Sequence, residues 1–232
     1  TLSGISLLLT AIYSFSYWSL NKAIVMASVL NLILVGFQGW LGSIVVSTNL
    51  VDWIVTVHML LALAILALSI YTYHAAKVNG KPRLQLKGII LTITLIVILL
   101  SIVQITFGTE VREKIDEVST HLQGGYRQEW VSKADGIFTR HRDVAAFVLL
   151  INLALYALVR RGYSRHSIHQ QIMSFAFLMI MLQIATGIAL SYFALPPYAQ
   201  SLHILIASLI FGAQFYLLLN LFKTANLRGM QV

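Results

Sequence analysis

Seven apolar stretches, each of a length that can cross a membrane, recur along this 232-residue chain at about 1–18, 23–47, 51–76, 88–108, 142–159, 172–195 and 199–222. Crossing roughly 30 Å of hydrocarbon as a helix takes about 20 residues, and inside lipid every backbone N–H and C=O must be satisfied within the protein. The chain is therefore expected to be an all-α polytopic membrane protein. Its composition agrees: 58% of residues are hydrophobic, 10% are charged and the mean hydropathy is +0.82, far too apolar for an ordinary soluble domain.

Lysine and arginine number 16 against 8 aspartate and glutamate, an excess that in another setting would suggest nucleic acid. No basic cluster carries the interleaved aromatics or polar surroundings that such a partner requires, so nucleic acid is not expected. Topology explains the charge instead. Lys22, Lys77, Lys81, Arg83, Lys87, Arg160, Arg161, Arg165, Lys223 and Arg228 all fall on one side of the alternating spans, while every acid falls on the other side or at its boundary. The positive-inside rule makes the basic side cytoplasmic. The expected setting is the bacterial cytoplasmic membrane, with Thr1 outside and the C-terminus inside.

Cysteine is absent, which leaves no disulfide framework or thiolate metal site within these residues. The first span starts abruptly at Thr1 without an initiator Met or a basic flank, features that a signal peptide normally shows. One more helix is therefore expected upstream, giving seven visible spans of eight.

An internal repeat organises the chain. Phe37-Gln-Gly-Trp-Leu-Gly42 running to His58 lies without a gap on Leu182-Gln-Ile-Ala-Thr-Gly187 running to His203, at a constant offset of 145 residues. A third Gln-x-x-x-Gly stands at Gln104 and Gly108. The duplication predicts two pseudo-symmetric four-helix bundles, 1–80 lacking its first helix and 81–232, the second containing an outer loop at 109–140 with an amphipathic helix. The run Leu195-Pro-Pro-Tyr198 should make the last two spans a hairpin, since proline does not extend a helix interior.

Of seven histidines, His58, His141 and His203 lie at nearly one depth near the outer end of their spans. Burying an imidazole is unfavourable without partners, and ionisable residues inside spans are functional candidates by default. A lone intramembrane histidine is as readily a core side chain bonded to a carbonyl. Three at one level, two of them related by the repeat, favour axial ligation of haem iron. His141 and His203 can pair, whereas applying the offset to His141 puts the partner of His58 just before Thr1. Gln38, Gln104 and Gln183 can bond haem propionates or one another. Gly42, Gly108 and Gly187 allow close approach of a helix or a macrocycle, and Arg140 and Arg142 stand where propionates would point. His74, His121, His166 and His169 read as interfacial or solvated.

Gln-x-x-Leu-Gly42 followed by Val-Val-Ser-Thr-Asn-Leu50, the Val-His58-Met-Leu-Leu-Ala run, Val-Gln104-Ile-Thr-Phe-Gly-Thr-Glu-Val-Arg112 and His141-Arg142 together resemble the heme A synthase family over nearly the whole chain. The resemblance implies an enzyme of eight helices that oxidises the C8 methyl of haem O to the formyl of haem A by successive hydroxylations, for assembly of terminal oxidases. It implies a b-type haem cofactor on His141 and His203, attended by Arg142, Gln104 and Gln183, and a substrate haem at His58 and Gln38. The family's essential glutamate lies just before the histidine absent here, so no catalytic carboxylate is named. Expected partners are haem O and its synthase, membrane lipid and an electron donor of unspecified kind; a homo-oligomer is compatible with the sequence. The competing reading is a b-type diheme electron-transfer protein linked to quinol. A transporter, the third class, fits poorly because the spans lack intramembrane acids.

Overall fold

The computed structural model describes residues 2–47, 52–77 and 88–222. Among them every regular element is helical. In chain order these are α1 (Leu2–Ser14) running into a 3-10 turn (Phe15–Tyr17), α2 (Lys22–Ser47), α3 (Asp52–Lys77), α4 (Gly88–His121), a second 3-10 turn (Arg127–Glu129), α5 (Trp130–Lys133), α6 (Asp135–Gly162), α7 (Ile168–Tyr192) and α8 (Pro197–Leu221). Six of them, α2, α3, α4, α6, α7 and α8, are long and apolar enough to cross a membrane.

The first apolar stretch differs from expectation. Leu2–Tyr17 is shorter than the others, and its end has a local cause. Ser14 and Ser16 donate their hydroxyls to the carbonyls of Ala11 and Tyr13, each at 2.7 Å, and such back-bonding competes with helix continuation. Asn21 then accepts from the Ala23 N–H at 3.0 Å, the bond of an N-cap, and starts α2.

The chain divides into two compact units, 1–85 with 221–232 and 86–220. The boundary expected at 80/81, and Lys81, Arg83, Lys87, Lys223 and Arg228 of the topology argument, lie outside the described residues. In the first unit α2 and α3 are joined by a buried bond from Asn31 Nδ2 to Ser69 Oγ at 2.8 Å.

In the second unit the connection at 109–140 is mostly helix. α4 runs 34 residues without a break, about 51 Å at 1.5 Å per residue, so it continues well beyond a bilayer's hydrocarbon. The alternating charges form pairs along that extension, Arg112 with Asp116 at 3.6 Å and Lys114 with Glu117 at 2.7 Å. α6 likewise starts at Asp135, so His141 sits inside a helix and not at its first residue.

The chain between α4 and α6 folds back onto the hairpin between α7 and α8. Ala194 and Leu195 hold left-handed φ values of 54° and 55°, a conformation that costs L-residues roughly 1–2 kcal/mol each. Their carbonyls are taken by Arg127, through Nε at 2.9 Å and Nη2 at 2.8 Å, and Gln200 Nε2 donates to Leu195 O at 2.7 Å. Ile115, Ala134 and Leu195 form a small apolar core beneath, and the Trp130 indole closes the loop by donating to Gly125 O at 2.9 Å. Arg127→Leu should therefore cost about 1.5–3 kcal/mol, the range for bonds from a charged donor. Thermal unfolding of the purified protein in detergent checks this, and Arg127→Lys, which cannot fork to two carbonyls, should recover only part.

Candidate functional site

Each of the three signature helices presents its glycine to a histidine on the next long helix of the same unit. A Cβ added to Gly42 of α2 would lie 3.1 Å from Cε1 of His58 on α3; one added to Gly108 of α4 would lie 3.5 Å from Cε1 of His141 on α6; one added to Gly187 of α7 would lie 3.4 Å from Cε1 of His203 on α8. The fit is tightest at Gly42, where any side chain would displace the ring. The glycines singled out in the sequence are thus seats for imidazoles.

The glutamine four residues before each glycine works at the same level. Gln38 Nε2 donates to the His58 carbonyl at 3.1 Å, and Gln104 Nε2 donates to the His141 carbonyl at 2.9 Å while also lying 3.1 Å from His141 Nδ1. At His203 the arrangement shifts by one residue type. The ring meets the Gln183 backbone, and its Nδ1 lies 2.8 Å from Thr186 Oγ1, whose hydroxyl donates to Gln183 O at 2.9 Å. The Thr186 hydroxyl thus lies between the His203 ring and the α7 backbone. Thr186 was not legible as a site residue, because the equivalent positions in the other two signatures are Leu41 and Phe107.

His141 and His203 belong to the same unit, each ring against its own signature glycine. His58 belongs to the first unit and lines a cavity of about 480 Å³ together with Gln38, Gly36, Gly39 and Gly42 of α2 and Gly4 of α1. Cβ atoms added at Gly4, Gly36 or Gly39 would meet nothing within 4 Å. His58 Nδ1 and the Oε1 atoms of Gln38, Gln104 and Gln183 are buried without a hydrogen-bond partner.

The arginines stand apart from this geometry. Arg142 is exposed and pairs with its neighbour Asp143 at 3.7 Å; Arg140 lies over Phe107 and 3.9 Å from Glu110. Of the other histidines, His121 is exposed beside Glu117, and His169 stacks on Tyr163 with ring centroids 3.9 Å apart and bonds to Asn220 O at 3.2 Å. Among the described residues no group of three or more His, Cys, Asp or Glu could hold a metal ion.

In comparison with known proteins, the model of the family COX15-CtaA, described as cytochrome oxidase assembly protein, matches residues 1–215. No curated protein is similar enough to count as a match.

Thr186→Val keeps the shape of the side chain but removes the hydroxyl that meets His203 Nδ1. A buried polar group left without its partner costs about 1–3 kcal/mol, so the purified variant should unfold at lower temperature, and Thr186→Ser should restore most of the loss.

Proposed function

The chain belongs to the COX15-CtaA family of cytochrome oxidase assembly proteins, and from that premise we propose that it is a heme A synthase, an oxidoreductase that converts the C8 methyl of haem O to the formyl of haem A. The observation that carries the reading is that His141 and His203 of one unit are each seated against a signature glycine, two imidazoles with no third ligand-type residue completing a metal cluster among the described residues. A structural zinc site takes four protein ligands and a catalytic one about three. Haem iron has its equatorial positions filled by the macrocycle and takes only axial ligands from the protein. The residues present fit that demand.

In this reading His141 and His203 hold a haem b, and Thr186, Gln104 and the Gln183 backbone fix the rings and their backbone, as partners of metal-bound histidines commonly do. Bound haem supplies the one-electron redox chemistry that protein side chains lack. Arg142, exposed at the start of α6, serves propionates only by turning from Asp143.

His58 and Gln38 receive the substrate. The cavity of about 480 Å³ beside them is in the range of roughly 300–1,000 Å³ typical of small-molecule sites, and its glycine floor lets a flat macrocycle lie against the α2 backbone. The unpartnered His58 Nδ1 supports a ring still awaiting its final setting. Exposed apolar side chains on α1 and α2, among them Ile5, Leu8, Met26 and Ile33, suit a farnesylated substrate delivered through lipid by the synthase that makes haem O. In this reading the histidines lie near the non-cytoplasmic face of a bacterial inner membrane, an orientation that the basic loops support by the positive-inside rule.

The test is pigment extraction and chromatography from cells that express the gene and supply haem O. Hydroxylated and formylated haem should accumulate. His58→Ala should abolish conversion while the purified protein keeps its Soret band, whereas His141→Ala or His203→Ala should remove that band. Bound haem with no modified haem in any sample would favour a b-type electron-transfer protein instead.

A further inference from the structure

Three polar side chains meet deep inside the second unit, away from the histidines. Ser101 of α4, Asn152 of α6 and Gln214 of α8 are 6%, 2% and 0% exposed. They form a directional chain: Ser101 Oγ donates to Gln214 Oε1 at 2.7 Å, Gln214 Nε2 donates to Asn152 Oδ1 at 3.1 Å, and Asn152 Nδ2 donates to Val148 O at 2.8 Å. Burying amides among apolar spans is unfavourable, and leucine would pack there without that cost.

The spacing gives the reason. Asn152 lies eleven residues beyond His141, and Gln214 lies eleven residues beyond His203. Eleven residues are about three turns and ~16 Å of rise, so each amide shares a helix face with its histidine. Ser101 shares the face of α4 that carries Gln104 and Gly108, three and seven residues on. Rotating α6 or α8 by one residue swings amide and imidazole off the seam together. Apolar packing resists such a rotation weakly, whereas a hydrogen-bond chain with a fixed direction admits one register, the best-attested use of buried polar groups.

The first unit repeats the spacing with other residues. Ser69 lies eleven residues beyond His58 and accepts from Asn31, which is 1% exposed, at 2.8 Å. At the offset of 145, Ser69 corresponds to Gln214 and Asn31 to the fully buried Ala176. The long amide has moved from one helix of the pair to the other, and the bond stays at the same distance from the histidine.

We propose that Ser101, Asn152 and Gln214 are positioning residues that set the rotation of α6 and α8, and with it the axial ligation of a haem by His141 and His203; the proposal rests on the haem reading above. The experiment uses the purified, haem-loaded protein and its Gln214→Met, Gln214→Glu and Ser101→Ala variants. Ferric low-spin electron paramagnetic resonance reports ligand geometry, the rate of haem loss to an acceptor protein reports retention, and thermal unfolding reports the fold. Gln214→Met should shift or split the low-spin signal and weaken haem retention by about tenfold, the fold-change that corresponds to one or two lost net hydrogen bonds. Gln214→Glu, neutral when buried, can accept from Ser101 and donate to Asn152, and should restore both readouts. Ser101→Ala removes one bond and should move them in the same direction by less, which keeps the test open if Gln214→Met does not fold. A lower unfolding temperature with an unchanged resonance signal and unchanged haem loss overturns the proposal in favour of plain helix adhesion. Wild-type protein without a Soret band overturns the haem reading and this proposal with it.

Discussion

An imidazole inside a membrane protein must find partners for its nitrogens and room for its ring, and both demands fall on the neighbouring helix. Here the room comes from the glycine of each Gln-x-x-x-Gly segment, while the partners vary: the glutamine bonds the backbone carbonyls of His58 and His141 and meets a ring nitrogen only at His141, and Thr186 meets the ring of His203. The long helices that carry these segments have little polar surface of their own. Their mutual placement therefore depends on a few buried bonds, Asn31 to Ser69 in one unit and Ser101 to Gln214 to Asn152 in the other.

Much of this was readable beforehand, for identifiable reasons. Spans announce themselves because lipid tolerates no interruption of 20 apolar residues or so, and six of the seven stretches form helices of crossing length. His58 with Gly42 and His203 with Gly187 could be singled out because the repeat keeps their offset, and Gly108 because it stands in a third Gln-x-x-x-Gly. Other features were hidden. Charge at Glu110 reads as the end of a span, yet nothing between Gly108 and His121 breaks a helix, and α4 simply continues. The fork of Arg127 onto Ala194 and Leu195 joins residues nearly 70 apart, and no local pattern announces it. Asn152, Gln214 and Ser101 read as polar dilution of apolar runs; only their distance from His141, His203 and Gln104 could have marked them.

The two histidines related by the repeat are not equally settled, and a single substitution explains the difference. His203 Nδ1 lies 2.8 Å from the Thr186 hydroxyl. The corresponding residue beside His58 is Leu41, which has no acceptor to offer, and His58 Nδ1 is left buried without a partner. An unmade bond of that kind costs on the order of 1–3 kcal/mol.

The same division extends to packing. In the second unit the hairpin is tied down by Arg127 and the core by a continuous polar chain. In the first, Gly4, Gly36 and Gly39 line a cavity where an added Cβ would touch nothing, while Gly42 seats the His58 ring. Empty volume forfeits dispersion contacts, and a site can keep that volume only if the rest of its unit holds the helices apart. Asn31 and Ser69, some three turns from His58, do so at the opposite end of the helix pair. The first unit is therefore tied at two levels, by Asn31 to Ser69 and by Gln38 to the His58 carbonyl, and the cavity lies beside the second.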